Sequence, residues 1–312
     1  MSKIAFLFPG QGSQVVGMGQ ELMEQHPEAK AIFTKGDEVL GFSLSSLIMN
    51  GPEEELKRTE NTQPALLTTS IATLAVLNKH GIQADYTAGH SLGEYSALVA
   101  SGSLSFEDAV HAVRERGLFM EEAVPTGVGA MSAILGMDQA TVEAITTSVS
   151  EQGEVVQVAN LNCPGQIVIS GTAKGVQDAA ALAKEQGAKV IPLQVSGPFH
   201  SALMEPAAVK MAGVLEQITI QDALIPVITN VTAEAATSAT EIKDLLVKQM
   251  YSPVRWEETV RELLALGVET FIEIGPGKVL SGLVKKVHRR ANVIAVSDEA
   301  SIAAALEKLK GE

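Results

Sequence analysis

The sequence predicts an α/β protein in two parts: a mainly parallel sheet covered by helices, and a smaller unit inserted into it. Three observations carry this prediction. Strand-like and helix-like runs alternate before residue 125 and again after residue 196, the pattern that lays helices on a parallel sheet. Between them the rhythm changes to β-α-β-β-α-β, the order of a ferredoxin-like unit. Third, Gly89-His90-Ser91-Leu92-Gly93 stands between a strand-like and a helix-like run, the setting in which Gly-x-Ser-x-Gly presents a serine on a sharp turn.

Taken in order, Ile4-Ala5-Phe6-Leu7-Phe8 reads as a strand and is broken by Pro9-Gly10-Gln11-Gly12-Ser13-Gln14. Residues 64–79 read as a helix, with Pro64 in the first turn, where a missing N–H costs nothing, and Gly81 at the C-terminal end. Residues 84–88 and 92–100 are the strand and helix that flank Ser91. Ser105-Phe106-Glu107-Asp108 resembles a capping box, opening a helix with Phe106, Ala109, Val110, Val113, Gly117 and Met120 on one face. The inserted unit then reads as strand 128–135, helix 138–150, strands 154–160 and 166–171, helix 173–187 and strand 189–194. Pro125 and Gly197-Pro198 mark its junctions, so 1–124 with 197–312 is expected to form the large subdomain and 125–196 the small one. A helix after His200, a strand at 226–229 and two helical runs meeting near Pro253 resume the α/β pattern. Strand 270–274 ends at Gly275-Pro276-Gly277, which leads into a final helix.

Composition narrows the function. Lys plus Arg is 23 against 37 Asp plus Glu, a formal charge of −14 that opposes nucleic-acid binding. No stretch approaches the roughly 20 apolar residues of a membrane span, and the first residues lack a signal peptide's pattern, so a cytoplasmic protein without a membrane partner is expected. The single cysteine, Cys163, excludes an intramolecular disulfide, and with six scattered histidines it offers no metal-ligand spacing. The Gly10-Gln11-Gly12 loop fits neither phosphate-binding fingerprint: Val15 stands where the dinucleotide pattern needs glycine, and Met18 where a P-loop needs lysine. No cofactor is therefore expected. The one dense cationic run, Lys285-Lys286-Val287-His288-Arg289-Arg290, reads as a solvated helix end or as a patch for an acidic partner.

Ser91 is the candidate nucleophile, because glycines at 89 and 93 let strand and helix approach while the hydroxyl projects above a helix N-terminus. A serine hydroxyl needs a base. His26, His80, His111 and His288 lie on helix faces or ends, and His90 points away from its neighbour in a sharp elbow. His200, on a Gly-Pro turn where the chain returns to the main sheet, is the candidate base, with a structural histidine as the alternative. The third member of a triad is missing, since Glu115, Glu121, Glu122 and Asp138 all read as solvated helix positions; a Ser-His dyad with a neutral acceptor stays open. Arg116 flanks the apolar stripe of its helix and needs an anion, supplied by a protein carboxylate or by a substrate. The N–H groups of Gln11 and Leu92 suit a two-donor oxyanion hole, although a plain glycine loop explains the first segment equally well.

Together these segments resemble the malonyl-CoA:acyl carrier protein transacylases and the related acyltransferase domains of polyketide synthases. The resemblance rests on Phe8-Pro9-Gly10-Gln11-Gly12-Ser13-Gln14, Thr62-Gln63-Pro64-Ala65, Gly89-His90-Ser91-Leu92-Gly93-Glu94, Arg114-x-Arg116-Gly117-x-x-Met120, Asn160-x-Asn162-x-Pro164-x-Gln166, Gly197-Pro198-Phe199-His200 and Glu273-Ile274-Gly275-Pro276-Gly277. It spans nearly the whole chain. It implies an α/β-hydrolase-like large subdomain with a ferredoxin-like small one. Carried over by position, Ser91 is acylated, His200 is its base oriented by the main-chain carbonyl of Gln249, Gln11 and Leu92 form the oxyanion hole, and Arg116 holds the malonyl carboxylate. Phe199, Met120, Asn160 and Asn162 would line the substrate pocket, with Leu92 and Phe199 of the malonyl-selective type. The implied partners are malonyl-CoA and acyl carrier protein, the latter docking near Lys285, Lys286, Arg289 and Arg290 because such carriers are acidic; a monomer is expected. The competing functions are a serine hydrolase such as a thioesterase, and a non-catalytic carrier-binding module.

Overall fold

Residues 3–125, 127–195 and 197–310 are described by the structure, a computed structural model. Ser196, the last residue assigned to the small unit, lies outside them. The first strand, β1 (Lys3–Phe8), alternates strictly: Phe6 and Phe8 enter one apolar cluster, Ala5 and Leu7 another. A strand buried on both faces needs helices on both sides. Four helices follow that the apolar pattern did not announce, α1 (Gln20–Gln25), α2 (Pro27–Leu40), α3 (Leu44–Asn50) and α4 (Glu53–Leu56). Next come α5 (Thr59–Asn78), β2 (Tyr86–Gly89), α6 (Gly93–Ala100) and α7 (Phe106–Ala123), the last capped by the Ser105 side chain, which accepts from the Asp108 amide.

Pro64 is not in the first turn of its helix. The helix begins five residues earlier, and Pro64 sits inside it. A proline there leaves the carbonyl four residues back without its donor. That carbonyl, of Glu60, instead accepts from Arg114 Nη1 at 2.7 Å. Gly117 makes the exchange feasible, since a Cβ there would lie 2.6 Å from Glu60 Cα, and α7 therefore packs directly on the proline turn.

The inserted unit consists of β3 (Gly129–Leu135), α8 (Gln139–Ser150), β4 (Val156–Cys163), β5 (Gln166–Thr172), α9 (Ala173–Glu185) and β6 (Lys189–Pro192). Its antiparallel sheet has the order β4-β5-β3-β6, as a ferredoxin-like unit requires. Asp138 and Thr172 cap its two helices through the amides of Thr141 and Gly175. A short parallel bridge joins it to the main body: Asn160 pairs with Val254, Leu161 N–H donating to Val254 O at 2.9 Å and Val254 N–H to Ala159 O at 2.8 Å.

After a 3-10 turn (Ala202–Met204) come α10 (Glu205–Gln217), β7 (Val227–Ile228), β8 (Ala235–Ala236), α11 (Ala239–Gln249), α12 (Trp256–Ala265), β9 (Val268–Ile274) and α13 (Val279–Val287). The chain does not end its structure there. β10 (Asn292–Val296) and α14 (Glu299–Lys310) follow, β10 pairing parallel with β9 and forming the sheet edge. The main sheet has the order β10-β9-β1-β2-β7-β8, parallel throughout except for the β7/β8 pair. Among the described residues no helix is long and apolar enough to cross a membrane.

Candidate active site

The turn between β2 and α6 is a strand-to-helix elbow whose glycines are sterically compulsory. A Cβ on Gly89 would fall 1.9 Å from Gly93 C, and one on Gly93 2.1 Å from Phe8 O. Ser91 at the apex has φ 52°, a left-handed conformation that only a tightly determined turn imposes on a side-chain-bearing residue. His200, in the turn after β6, has φ 57° and is likewise held. The two meet: Ser91 Oγ lies 2.8 Å from His200 Nε2.

His200 Nδ1 lies 2.9 Å from the main-chain carbonyl of Gln249, at the end of α11. A carbonyl can only accept, so Nδ1 carries the proton and Nε2 is left as the acceptor for the serine hydroxyl. The partner of His200 is thus a neutral dipole and not a carboxylate. Asp138 caps α8, and Glu122 pairs with Lys210 at 2.6 Å. Burial, reinforced by the nearby Arg116 charge, pushes the His200 imidazole down to about 3, so it stays neutral at ordinary pH.

Arg116 is 1% exposed on α7 and has neutral partners. Nη1 donates to Gln63 Oε1 at 2.7 Å, and Nη2 to Gln249 Oε1 at 2.9 Å and to Ser91 Oγ at 3.2 Å. Its Nε has no partner among the described residues, and its guanidinium carbon stands 5.8 Å from the centroid of the Tyr95 ring. No carboxylate comes within ion-pair distance of it among the described residues, which excludes the protein salt bridge as its anion. A buried cation satisfied only by dipoles is costly, and it is poised for an anion arriving beside the serine.

The elbow's amides are almost all spent. Ser91 N–H donates to Asn230 Oδ1 at 2.7 Å, Gly93 N–H to His90 O at 2.9 Å and Glu94 N–H to Ser91 O at 3.1 Å. The Leu92 amide has no acceptor among the described residues, and neither has that of Gln11, while Gly12 N–H is taken by Gln14 Oε1 at 2.7 Å. Gln11 and Leu92 line the same cavity, of about 490 Å³, as Ser91, His200, Arg116, Met120, Asn160 and Phe199. Its volume falls in the range of pockets that take a small organic ligand.

Asn162 was expected on that wall and is not part of it. Its Oδ1 is held at 2.8 Å by His90 Nε2, and the His90 ring lines the cavity instead. Gln249 also stands behind the wall, reaching the site through its carbonyl and amide. Lys285, Lys286, Arg289 and Arg290 are all exposed at the end of α13; Lys286 Nζ donates to Gln166 Oε1 at 2.9 Å, bridging to the smaller sheet. Sequence reasoning missed the roles of Asn230 and Glu94. The Asn230 side chain locks the elbow from both ends, accepting from Ser91 N–H and donating to Gly89 O at 2.7 Å. Glu94 had a usable signal: it is a carboxylate in the first turn of the helix that follows the nucleophile, where a negative charge is favoured.

The whole chain is similar to known proteins in family, sequence and structure. A family model described as "Acyl transferase domain" matches residues 5–309. The malonyl CoA-acyl carrier protein transacylase of Bacillus subtilis (strain 168) is 64% identical over 313 residues, covering 100% of this chain and 99% of that protein. Its namesake from Escherichia coli O157:H7 is 47% identical over 309 residues, covering 98% and 100%. Among solved structures, an acyl carrier protein S-malonyltransferase from Vibrio cholerae O1 biovar eltor superposes with TM-score 0.95 at 47% identity, covering 97% of this chain and 100% of that one. A malonyl-transacylase solved in complex with its type II PKS acyl-carrier protein gives TM-score 0.96 at 45% identity, covering 98% and 100%.

Proposed function

The chain belongs to the acyl transferase domain family, and on that premise we propose that it moves a malonyl group from malonyl-CoA to the phosphopantetheine thiol of acyl carrier protein, through a covalent malonyl-Ser91 intermediate. This activity supplies extender units for fatty acid synthesis. The observation that carries the choice of acyl group is Arg116, a buried cation without a protein carboxylate whose Nη2 reaches the Ser91 hydroxyl.

The chemistry follows from the site. Ser91 Oγ attacks the thioester carbonyl while His200 Nε2 takes its proton. The oxyanion forms against the amides of Gln11 and Leu92, which have no other acceptor among the described residues. Collapse of the tetrahedral species breaks the C–S bond, and His200 returns the proton to the departing thiolate. The carrier thiol then runs the same steps in reverse. Gln249 orients the imidazole through its carbonyl, and Phe199, Met120 and Asn160 shape the pocket, whereas Asn162 acts one step back through His90.

Residues 1–124 with 197–312 form the large subdomain and 125–196 the small one in this reading, the cavity opening between them. The enzyme works in the cytoplasm as a monomer, a location in keeping with the lone, buried Cys163.

Mixing the protein with malonyl-CoA and recording intact mass tests the proposal. A malonyl adduct is expected on wild type and not on Ser91→Ala. An adduct on both, or on neither, defeats the covalent mechanism, and rapid release of free malonate without any carrier would make the protein a hydrolase. The exposed cations at the end of α13 are assigned to carrier docking. Reversing Lys285, Lys286, Arg289 and Arg290 to glutamate is expected to raise KM for the carrier roughly tenfold or more at low salt, leaving acylation by malonyl-CoA intact. An unchanged carrier KM removes that assignment.

A further inference from the structure

One buried ionisable group takes no part in the acyl transfer just described. Glu94 on α6 is 2% exposed, and its Oε2 accepts from Gln249 Nε2 at 2.8 Å and from the Asn230 amide at 3.1 Å. The same Gln249 side chain presents Oε1 to Arg116 Nη2 at 2.9 Å. One amide therefore separates a buried carboxylate from the buried guanidinium. Gln249 Nε2 also donates to Ser91 O at 3.0 Å, which fixes the amide with its oxygen toward Arg116. The ionisable groups facing Glu94 are Arg116 from α7 and Tyr95 from its own helix, while His200, after β6, is reached through the Gln249 carbonyl.

We propose that Glu94 is a positioning residue for the dicarboxylic acyl group: it balances Arg116 in the empty site and takes up a proton when the acyl carboxylate pairs with Arg116. The inference rests on the malonyl reading above. Glu94 stands one amide away from the guanidinium, so a second carboxylate seated directly on Arg116 takes over its charge and favours the protonated form of Glu94. Burial already pushes the Glu94 carboxyl up to about 7, against the pull of Gln249, Asn230 and Arg116, which places the uptake near neutrality. The proton is released when the malonyl group departs on the carrier thiol.

Acyl transfer itself is proton-neutral. The Ser91 Oγ–acyl bond forms, the C–S bond breaks, and the serine proton leaves on the CoA thiol. A net proton in the loading step therefore belongs to a group outside the reacting atoms. The test is a single-turnover reaction with malonyl-CoA near neutral pH in weakly buffered indicator dye, with acyl-enzyme quantified by mass in the same sample. Wild type is expected to take up about half a proton per malonyl-enzyme formed. Glu94→Gln, which keeps the shape and carries no charge, is expected to take up none. Proton-silent loading of wild type, or equal uptake in the variant, overturns the proposal. If the variant folds poorly, wild type alone decides: uptake must vary with pH around 7, and a flat zero refutes it. Absence of any malonyl-enzyme would instead reject the underlying reading, whereas full loading without proton uptake rejects only the role of Glu94.

Discussion

Arg116→Ala is expected to lower kcat/KM for malonyl-CoA by on the order of 10²–10³-fold while raising it for acetyl-CoA, so that acyl preference inverts. The magnitude follows from truncating one partner of a buried charge pair, which costs about 2–5 kcal/mol. The inversion follows from desolvation. An acetyl group leaves the guanidinium with Gln63, Gln249 and Ser91 as its only acceptors, and that unpaired cost is removed along with the side chain. Arg116→Lys is not a conservative test, because an ammonium cannot hold two glutamines and a carboxylate in one plane. Steady-state rates with both thioesters check the prediction; an unchanged malonyl preference in the alanine variant would sink it.

His200→Ala is expected to slow acylation of Ser91 by on the order of 10³–10⁵-fold, the worth of a positioned base acting with its nucleophile. Stopped acylation with intact-mass detection reads this directly, and a loss under tenfold would remove His200 from the chemistry. The pH profile adds a second check. An ordinary histidine protonates near 6.5, whereas this imidazole is held neutral down to about 3. In wild type, kcat/KM for malonyl-CoA should therefore show no histidine limb as pH falls through 6.5, and a limb there would contradict the geometry. Stability depends on pH in the same direction. The folded pKa lies below the unfolded one, so His200 contributes stability that is present above 6.5 and lost as pH falls toward 3.

Much of the site was legible because its signals are local. Gly89 and Gly93 are required by a turn that closes within five residues, and Ser105 caps a helix through an amide three residues away. The apolar run Ile4-Ala5-Phe6-Leu7-Phe8 reads as a strand, and the structure adds that it is buried on both faces. Errors arose where distant chain changed a local rule. Pro64 reads as a helix start only if the Glu60 carbonyl goes unsatisfied, and Arg114 from another helix satisfies it. Asn162 matches a pocket motif, yet the His90 side chain takes its amide oxygen. The run after Gly275-Pro276-Gly277 reads as a final helix, yet the edge strand β10 and the helix α14 follow it; α14 is alanine-rich, a helix signal in propensity alone.

By itself the sequence determined the α/β alternation, the inserted β-α-β-β-α-β unit, the serine at the apex of an elbow and a histidine on a returning turn. The tertiary structure decided what each polar group answers to. The serine meets its histidine across 109 residues, the arginine meets the serine across 25, and Glu94 meets Gln249 across 155. The acceptor for His200 is the sharpest case. Every residue carries a main-chain carbonyl, so composition and spacing cannot single out that of Gln249; only the packing of α11 against the elbow puts this one carbonyl 2.9 Å from the imidazole.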